Sequence, residues 1–505
     1  MKRLCKRAPA RHLMPMRRIV LLIYGGLASA CAVGPDFHRP AAPQVQGYGA
    51  APVTRTPAAD TVGGEAQRFE PGLDIPAQWW TAFQSPPIDH LVATALAANA
   101  DLQAAQAALR AAQETAAAQR GSYFPTVSAT VSSNREQNAV GTLAPTLSSG
   151  ASIFTLHTAQ VDVGYAPDLF GANRRQVESL LASAEAQRFQ MEATYLTLVS
   201  NVIVAAITQA SVHTQLVTMQ AIVADERESL EILRRQYQLG SISSAQVSAQ
   251  EAMLAQSEAA VPGLQQQLAQ QHDLLAQLSG RFPSELRDDE LDLSMLSLPQ
   301  ALPLSLPARL VEQRPDVCAA EATLHAATAQ VGVAIANMLP NISLTANAGT
   351  TAVRLGELLG PGTRFWSLGA SLSQTLFAGG TLVHRKRAAV ASMDQAAALY
   401  RSTVLQAFRE VADTLAALQS DAVALDAQAR AEHAAAESLA IAKQNMQLGS
   451  TSYLELLDAE RTHTQAEAAL AQAHAARLSD TVALFQALGG GWWNRAPSGV
   501  TAGGA

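Results

Sequence analysis

Apolar positions along this chain keep two different rhythms. In four short stretches they alternate strictly. Val127, Ala129 and Val131 alternate with Ser128, Thr130 and Ser132, and Val161, Val163 and Tyr165 with Asp162, Gly164 and Ala166. Ile342, Leu344, Ala346 and Ala348 alternate with Ser343, Thr345, Asn347 and Gly349, and Trp366, Leu368, Ala370 and Leu372 with Ser367, Gly369, Ser371 and Ser373. A period of two predicts strands with one apolar face and one small or polar face. Elsewhere the pattern is helical. Two stretches, Ala172 to Leu239 and Thr381 to Leu448, each run 68 residues without a glycine or proline. Helical throughout, each would span about 100 Å at roughly 1.5 Å per residue. Globular helices average about 11 or 12 residues, so a compact enzyme domain has no use for such rods.

The same order of features occurs twice. Asp101 and Pro125 stand 24 apart, as do Asp316 and Pro340, at an offset of 215. Leu169-Phe170 recurs as Leu376-Phe377 at 207, while Leu239-Gly240-Ser241 recurs as Leu448-Gly449-Ser450 at 209. Gly280 recurs as Gly489, again at 209. Anchors at nearly constant offset mark a tandem duplication. The expected plan is a repeat over 79–295 with two strands within about 125–168 and a helical hairpin over 171–280. A second repeat covers 296–490, with strands within about 340–376 and a hairpin over 379–488. Residues 31–78, rich in Pro, Gly, Ala and Thr, read as an extended, largely irregular arm, and 491–505 as a disordered tail.

Composition agrees with long helices packed on small side chains, since aromatics are 5% and charged residues 15%. Residues 1–30 carry seven Lys and Arg and no acid, then an apolar run from Ile19 to Ala30. That describes a secretory signal, too short to span a bilayer. Small residues immediately before Cys31 resemble a bacterial lipoprotein cleavage site, with Ala28 where leucine is commoner. An ordinary signal peptide beside an incidental cysteine is the alternative. Without the signal, 28 basic residues face 42 acidic ones, a net charge of −14, which argues against nucleic acid as a partner. Three cysteines support no disulfide framework, and Cys318 reads as a small packed residue.

Alternating strands of about ten residues fit either a transmembrane barrel or a soluble sheet with one wet face. The lipid site and the rods favour the membrane. Four strands cannot close a barrel there, because such barrels begin at about eight strands and an open edge in lipid leaves backbone groups unpaired. A membrane reading therefore requires several copies to share one barrel, with two chains giving eight strands and three giving twelve.

From end to end the mature chain resembles the TolC-like outer-membrane factors, in particular the lipoprotein branch serving tripartite efflux pumps. The matching residues are Cys31-Ala32-Val33-Gly34-Pro35-Asp36-Phe37 with Pro40, Trp79-Trp80 with Phe83 and Pro86, and Asn99-Ala100-Asp101-Leu102. Asp168-Leu169-Phe170-Gly171 with Arg174-Arg175 also fits, as does Arg314-Pro315-Asp316-Val317 with Ala320-Glu321. Leu376-Phe377-Ala378-Gly379-Gly380 and Leu456-Leu457-Asp458-Ala459 complete the series. Ser85-Pro86-Pro87 departs from the usual Asp-Pro pair. The resemblance implies a mostly α protein with a membrane β-barrel part: a homotrimer sharing a 12-stranded barrel in outer-membrane lipid and a 12-helix tunnel across the periplasm. It also implies acylation of Cys31, a periplasmic adaptor docking at the tips Gly240, Ser241, Gly449 and Ser450, and an RND-type inner-membrane transporter. Members constrict the tunnel with leucines and carboxylates just past the second tip, which points to Leu454, Glu455 and Asp458 as a gate.

Each of these residues also has a plainer reading. Gly240 and Gly449 would end helices in a left-handed conformation. Ser452 and Glu455 form a capping-box sequence, as do Ser243 and Gln246 in the first repeat. Asp458 aligns with Ala249, so the duplicated fold needs no carboxylate there. Arg385, Lys386 and Arg387 form a basic cluster beside the strands, either a solvated helix face or cations near lipid or lumen. No Gly-rich phosphate loop, nucleophile elbow, His-Glu-x-x-His or Cys-x-x-Cys spacing occurs, so the expectation is a passive duct without active site, metal or cofactor. The competing function is a structural periplasmic coiled coil or adhesin-stalk lipoprotein, which would leave the alternating strands and the duplication without a purpose.

Overall fold

A computed structural model describes residues 32–45, 47–49, 53–137, 152–286 and 291–495. The signal segment and Cys31 lie outside the described residues. Eight α-helices are present among them: α1 (Pro86–Ala98), α2 (Ala100–Arg120), α3 (Ala172–Gln238), α4 (Ser244–Leu278), α5 (Pro307–Gln313), α6 (Pro315–Ala336), α7 (Thr381–Gln447) and α8 (Tyr453–Ala487). The strands are β1 (Arg68–Pro71), β2 (Thr126–Gln137), β3 (Ile153–Tyr165), β4 (Ala301–Leu304), β5 (Asn341–Ala352) and β6 (Arg364–Ser373). Helices α3 and α7 are 67 residues each, and α4 and α8 are 35 each. The duplication is thus kept residue for residue in the hairpins. The chain divides into two compact units that cut across the repeats: 1–38, 112–184 and 323–397 in one, and the remainder in the other.

The first unit holds a four-stranded antiparallel sheet in the order β2-β3-β5-β6. Its central pairing joins the two repeats, Tyr165 opposite Leu344. Register sorts the side chains by face. Val127, Val163, Ala346 and Leu368 form one row across all four strands, and Ala129, Val161, Ala348 and Trp366 form the next. On the other face the rows are Ser128, Asp162, Asn347 and Ser367, then Thr126, Gly164, Thr345 and Gly369. Polar groups of that face bond to each other: Ser367 donates to Asn347 at 2.9 Å, and Gln160 donates to Asp162 at 2.8 Å. Within the same unit Asp168 caps α3 by accepting from the amides of Asn173 and Arg174 at 3.1 and 2.8 Å. Arg175 pins the arm, donating to Asp36 at 2.6 Å and to the Val33 carbonyl at 3.3 Å. The bound guanidinium holds the Asp36 carboxyl below its ordinary range. Glycine is required where the arm passes α6, because a Cβ on Gly332 would stand 2.9 Å from the Val33 carbonyl oxygen and 2.8 Å from the Arg175 side chain.

The second unit is built on a core in which Trp79 stacks on Phe485 at 5.0 Å, with Phe83, Ile88, Ile203, Ile207 and Leu302 fully buried around it. Helix α3 contains an 18-residue window apolar enough to cross a membrane, but 72% of that window is buried inside the fold. The run is core packing. The expectation of four strands falls short, since β1 and β4 pair in parallel, Arg68 opposite Ala301 and Pro71 opposite Leu304. Part of the arm is therefore regular. Residues 491–495 are likewise folded, not part of a disordered tail. Gly489, Gly490 and Gly491 all take positive φ and turn the chain back, so that Trp492 donates to the Gln313 carbonyl at 2.7 Å. Asn494 donates to Asp74 at 2.8 Å and Arg495 pairs with Glu192. Cys318 is buried, and desolvation pushes its thiol up to about 12.

One half-buried carboxyl predicts a pH response. Burial and the adjacent Asp480 push Asp421 up to about 7, so it folds protonated. Its stabilising contribution is complete below the ordinary carboxyl value of 3.8 and is lost as the pH rises through about 7. The thermal midpoint is expected to fall between about pH 4 and 7 and to level off above that, and Asp421→Asn to flatten the fall. Parallel profiles for the two proteins would exclude Asp421 as its source.

Candidate functional site: a two-faced sheet and paired hairpin tips

At both tips the helix ends in the same way. Gly240 and Gly449 take φ of +74° and +70°. The Ser241 amide donates to the Gln236 carbonyl at 3.0 Å and Gly240 to Tyr237 at 2.9 Å. In the second tip Ser450 donates to Asn445 at 2.9 Å and Gly449 to Met446 at 3.1 Å. This pair of bonds closes a helix on a left-handed glycine. The Ser241 and Ser450 hydroxyls bond the same Gln236 and Asn445 carbonyls. Structure alone accounts for Gly240, Ser241, Gly449 and Ser450, yet all four are exposed.

The return helices are capped by halves of the expected boxes. Gln246 accepts from the Ser243 amide at 3.2 Å, and Ser452 accepts from the Glu455 amide at 3.4 Å. The Glu455 carboxylate is itself held by the Thr451 hydroxyl. The tips are joined by groups that motif reading did not single out. Tyr453 donates to Gln250 at 2.9 Å, and Gln250, fully buried, donates to the Glu226 carbonyl at 3.0 Å. Burial pushes the Tyr453 phenol up to about 12. Tyr453, Leu456 and Leu457 pack with Leu233 in a small core.

That core fixes which side of α8 is left over. Leu454, Glu455 and Asp458 all remain exposed, Leu454 by 62%. Leu454, Asp458 and Arg461 follow one another at four and three residues, so they share one stripe. Arg461 approaches Asp458 at 2.6 Å, a partner that the motifs did not point to. Arg385, Lys386 and Arg387 are all exposed. On the sheet, Val127, Val131, Trp366, Leu368 and Leu372 are exposed by 68 to 78%. A solvated protein does not leave so contiguous an apolar face open.

The profile described as outer membrane efflux protein matches residues 91–281 and 306–490, one stretch in each repeat. The chain belongs to that family. It is 30% identical over 492 residues to the toluene efflux pump outer membrane protein TtgC of Pseudomonas putida, covering 94% of this chain and 95% of TtgC. Among solved structures, the outer-membrane channel OprN is 30% identical with a TM-score of 0.80, covering 92% of this chain and all of OprN. The open state of the Neisseria gonorrhoeae channel MtrE is 25% identical with a TM-score of 0.77, covering 92% and 99%. The chain is thus an outer-membrane efflux channel of TolC-like fold. Its sheet, apolar on one face and hydrogen-bonded polar on the other, is the part built to stand between lipid and an aqueous lumen.

Proposed function

We propose that three copies of this chain form one passive export duct, which receives small molecules from an inner-membrane transporter through a periplasmic adaptor. The observation that carries this reading is the open four-stranded sheet, in which the outer edges of β2 and β6 pair with no strand among the described residues. Lipid offers their amides and carbonyls no partner, so β6 of one copy must meet β2 of the next. Three sheets make a 12-stranded barrel, polar inside. The exposed tips at Gly240, Ser241, Gly449 and Ser450 would receive the adaptor, and the stripe of Leu454 and Asp458, with Glu455 at the cap beside it, would narrow the lumen. The arm supports acylation of Cys31: its neighbour Ala32 packs on Gly171 where β3 gives way to α3, and a Cβ on Gly171 would sit 2.7 Å from Ala32.

Protein extracted from outer membranes is expected to run in detergent as a heat-modifiable trimer of the processed chain. It should incorporate labelled palmitate unless Cys31 is Ser. Cysteines placed at Ser241 and Ser450 should cross-link to a co-expressed adaptor. A compact monomer indifferent to detergent would sink the duct. Failure of the palmitate or cross-linking arms alone would remove the anchor or the docking tips.

A further inference from the structure

We propose that the second hairpin carries a binding site for a divalent transition-metal ion, formed by Glu432 of α7 with His463 and Glu467 of α8. The ligand atoms of these three side chains all lie within 4.8 Å of one another. His463 Nε2 stands 3.4 Å from Glu432 Oε1, and Nδ1 stands 3.8 Å from Glu467 Oε2. Tetrahedral bonds of about 2.0–2.2 Å to nitrogen and oxygen place neighbouring ligands roughly 3.4 Å apart. The first pair already has that spacing, and rotation about the Glu467 side-chain bonds brings in the third. His463 and Glu467 share one face of α8 through their four-residue spacing. None of the three is fully exposed, with 21%, 27% and 38% of the His463, Glu432 and Glu467 side chains open. Water can therefore complete the shell.

The duplication supplies an internal control. At the 209-residue offset, Glu432 corresponds to Val223 and His463 to Leu254. In the first hairpin those two are buried together in a small apolar cluster. Glu467 corresponds to Glu258, which is paired with Arg227 at 2.6 Å, but the equivalent of Arg227 is Ala436. The hairpin therefore closes without this trio. Its second copy has exchanged a hydrophobic contact for a histidine and a carboxylate and dropped the arginine that would neutralise the other carboxylate. Imidazole with two carboxylates suits zinc, copper or nickel better than magnesium, which demands near-octahedral oxygen ligands. An ion held there ties α7 to α8 in the hairpin bearing Leu454 and Asp458. The site does not depend on the export reading.

The test is calorimetric titration of Zn2+ into EDTA-stripped, full-length protein in detergent. One ion per chain is expected. Millimolar Mg2+ should not displace it, and Asp458→Ala should leave it intact. The combined replacement of Glu432→Val and His463→Leu installs the pair that the first hairpin already carries, so the fold tolerates it. It should weaken binding at least about 100-fold, beyond the 10- to 100-fold typical of losing an outer-shell partner. Absence of Zn2+ binding would show that His463 merely bridges two carboxylates, and equal affinity in the double variant would place the ion elsewhere. Displacement by Mg2+, or loss of binding in Asp458→Ala, would also overturn the site.

Discussion

Asp458→Ala is expected to raise single-channel conductance in planar bilayers and to weaken block by divalent cations by about tenfold. In the proposed trimer three copies of the stripe would face one axis, so three carboxylates would converge. A ring of that kind favours cations and retains them long enough to obstruct flow. Tenfold corresponds to about 1.4 kcal/mol, a modest demand on three charges a few ångströms from an ion at an effective dielectric of about 20. The structure adds a constraint that the carboxylate alone would not give. Arg461 lies 2.6 Å from Asp458 on the same helix, with 61% and 69% of the two side chains open. The proposed ring would therefore carry a compensating cation, and Arg461→Ala should strengthen divalent block where Asp458→Ala weakens it. Glu455→Gln should change neither, because its capping bond comes from its own amide and Thr451 occupies the carboxylate. Unchanged conductance and block in Asp458→Ala would remove Asp458 from the gate, and an effect of Glu455→Gln as large as that of Asp458→Ala would reassign it.

Opposite signs from Asp458 and Arg461 would also distinguish gating from helix stability. Both changes break the same exposed ion pair, whose contribution to stability is about 0 to 1 kcal/mol. A structural effect would move both variants in one direction. Opening by adaptor or transporter would then be a shift between two arrangements of the α7–α8 hairpin rather than a chemical step.

Much of this architecture was legible in the residues because the governing signals are local. Absence of glycine and proline delimits α3 and α7 to within a residue of their observed ends, and strict alternation separates the two faces of the four-stranded sheet before any register is known. Features that depend on distant partners were not legible. The pairing of β1 with β4 joins Arg68 to Ala301, over four residues that include Pro71 and Pro303 and show no alternation. Trp492 and Asn494 look like tail until Gln313 and Asp74 are placed beside them. His463 and Glu467 form half a motif, and Glu432 completes it only through the hairpin, 31 residues earlier in the chain. The proposed gate stripe was half legible. Tandem comparison singled out Asp458 against Ala249, whereas Arg461 as its partner required the helix to be built.

Arg477→Met is expected to lower the unfolding free energy by about 3–5 kcal/mol. The side chain is completely buried yet charged. Its Nη1 donates to the Gly63 carbonyl at 3.0 Å, and Nη2 donates to Glu65 O at 2.6 Å and to Thr56 Oγ1 at 3.1 Å. Burial lowers its pKa, which measures how far the fold has withdrawn the charge from water. Methionine fills much of the same volume but donates nothing, leaving two backbone carbonyls without their donor at about 1–3 kcal/mol for each buried group left unpaired, while Thr56 Oγ1 keeps only the Gln67 amide. Space cannot be regained by drawing the arm inward, because a Cβ on Gly63 would already stand 2.2 Å from His474 Nε2. The guanidinium also restrains Asp421, so its loss should push that carboxyl further up and leave it protonated over a wider range of pH. Arg430→Met is the matched control: its pair with Asp426 is 75% and 40% open, and its removal should cost less than about 0.5 kcal/mol. Chemical denaturation of the detergent-purified proteins compares them directly. A loss below about 1 kcal/mol in Arg477→Met would mean that the arm over residues 56–65 is held by packing alone, since the two released carbonyls would then have found water at almost no expense.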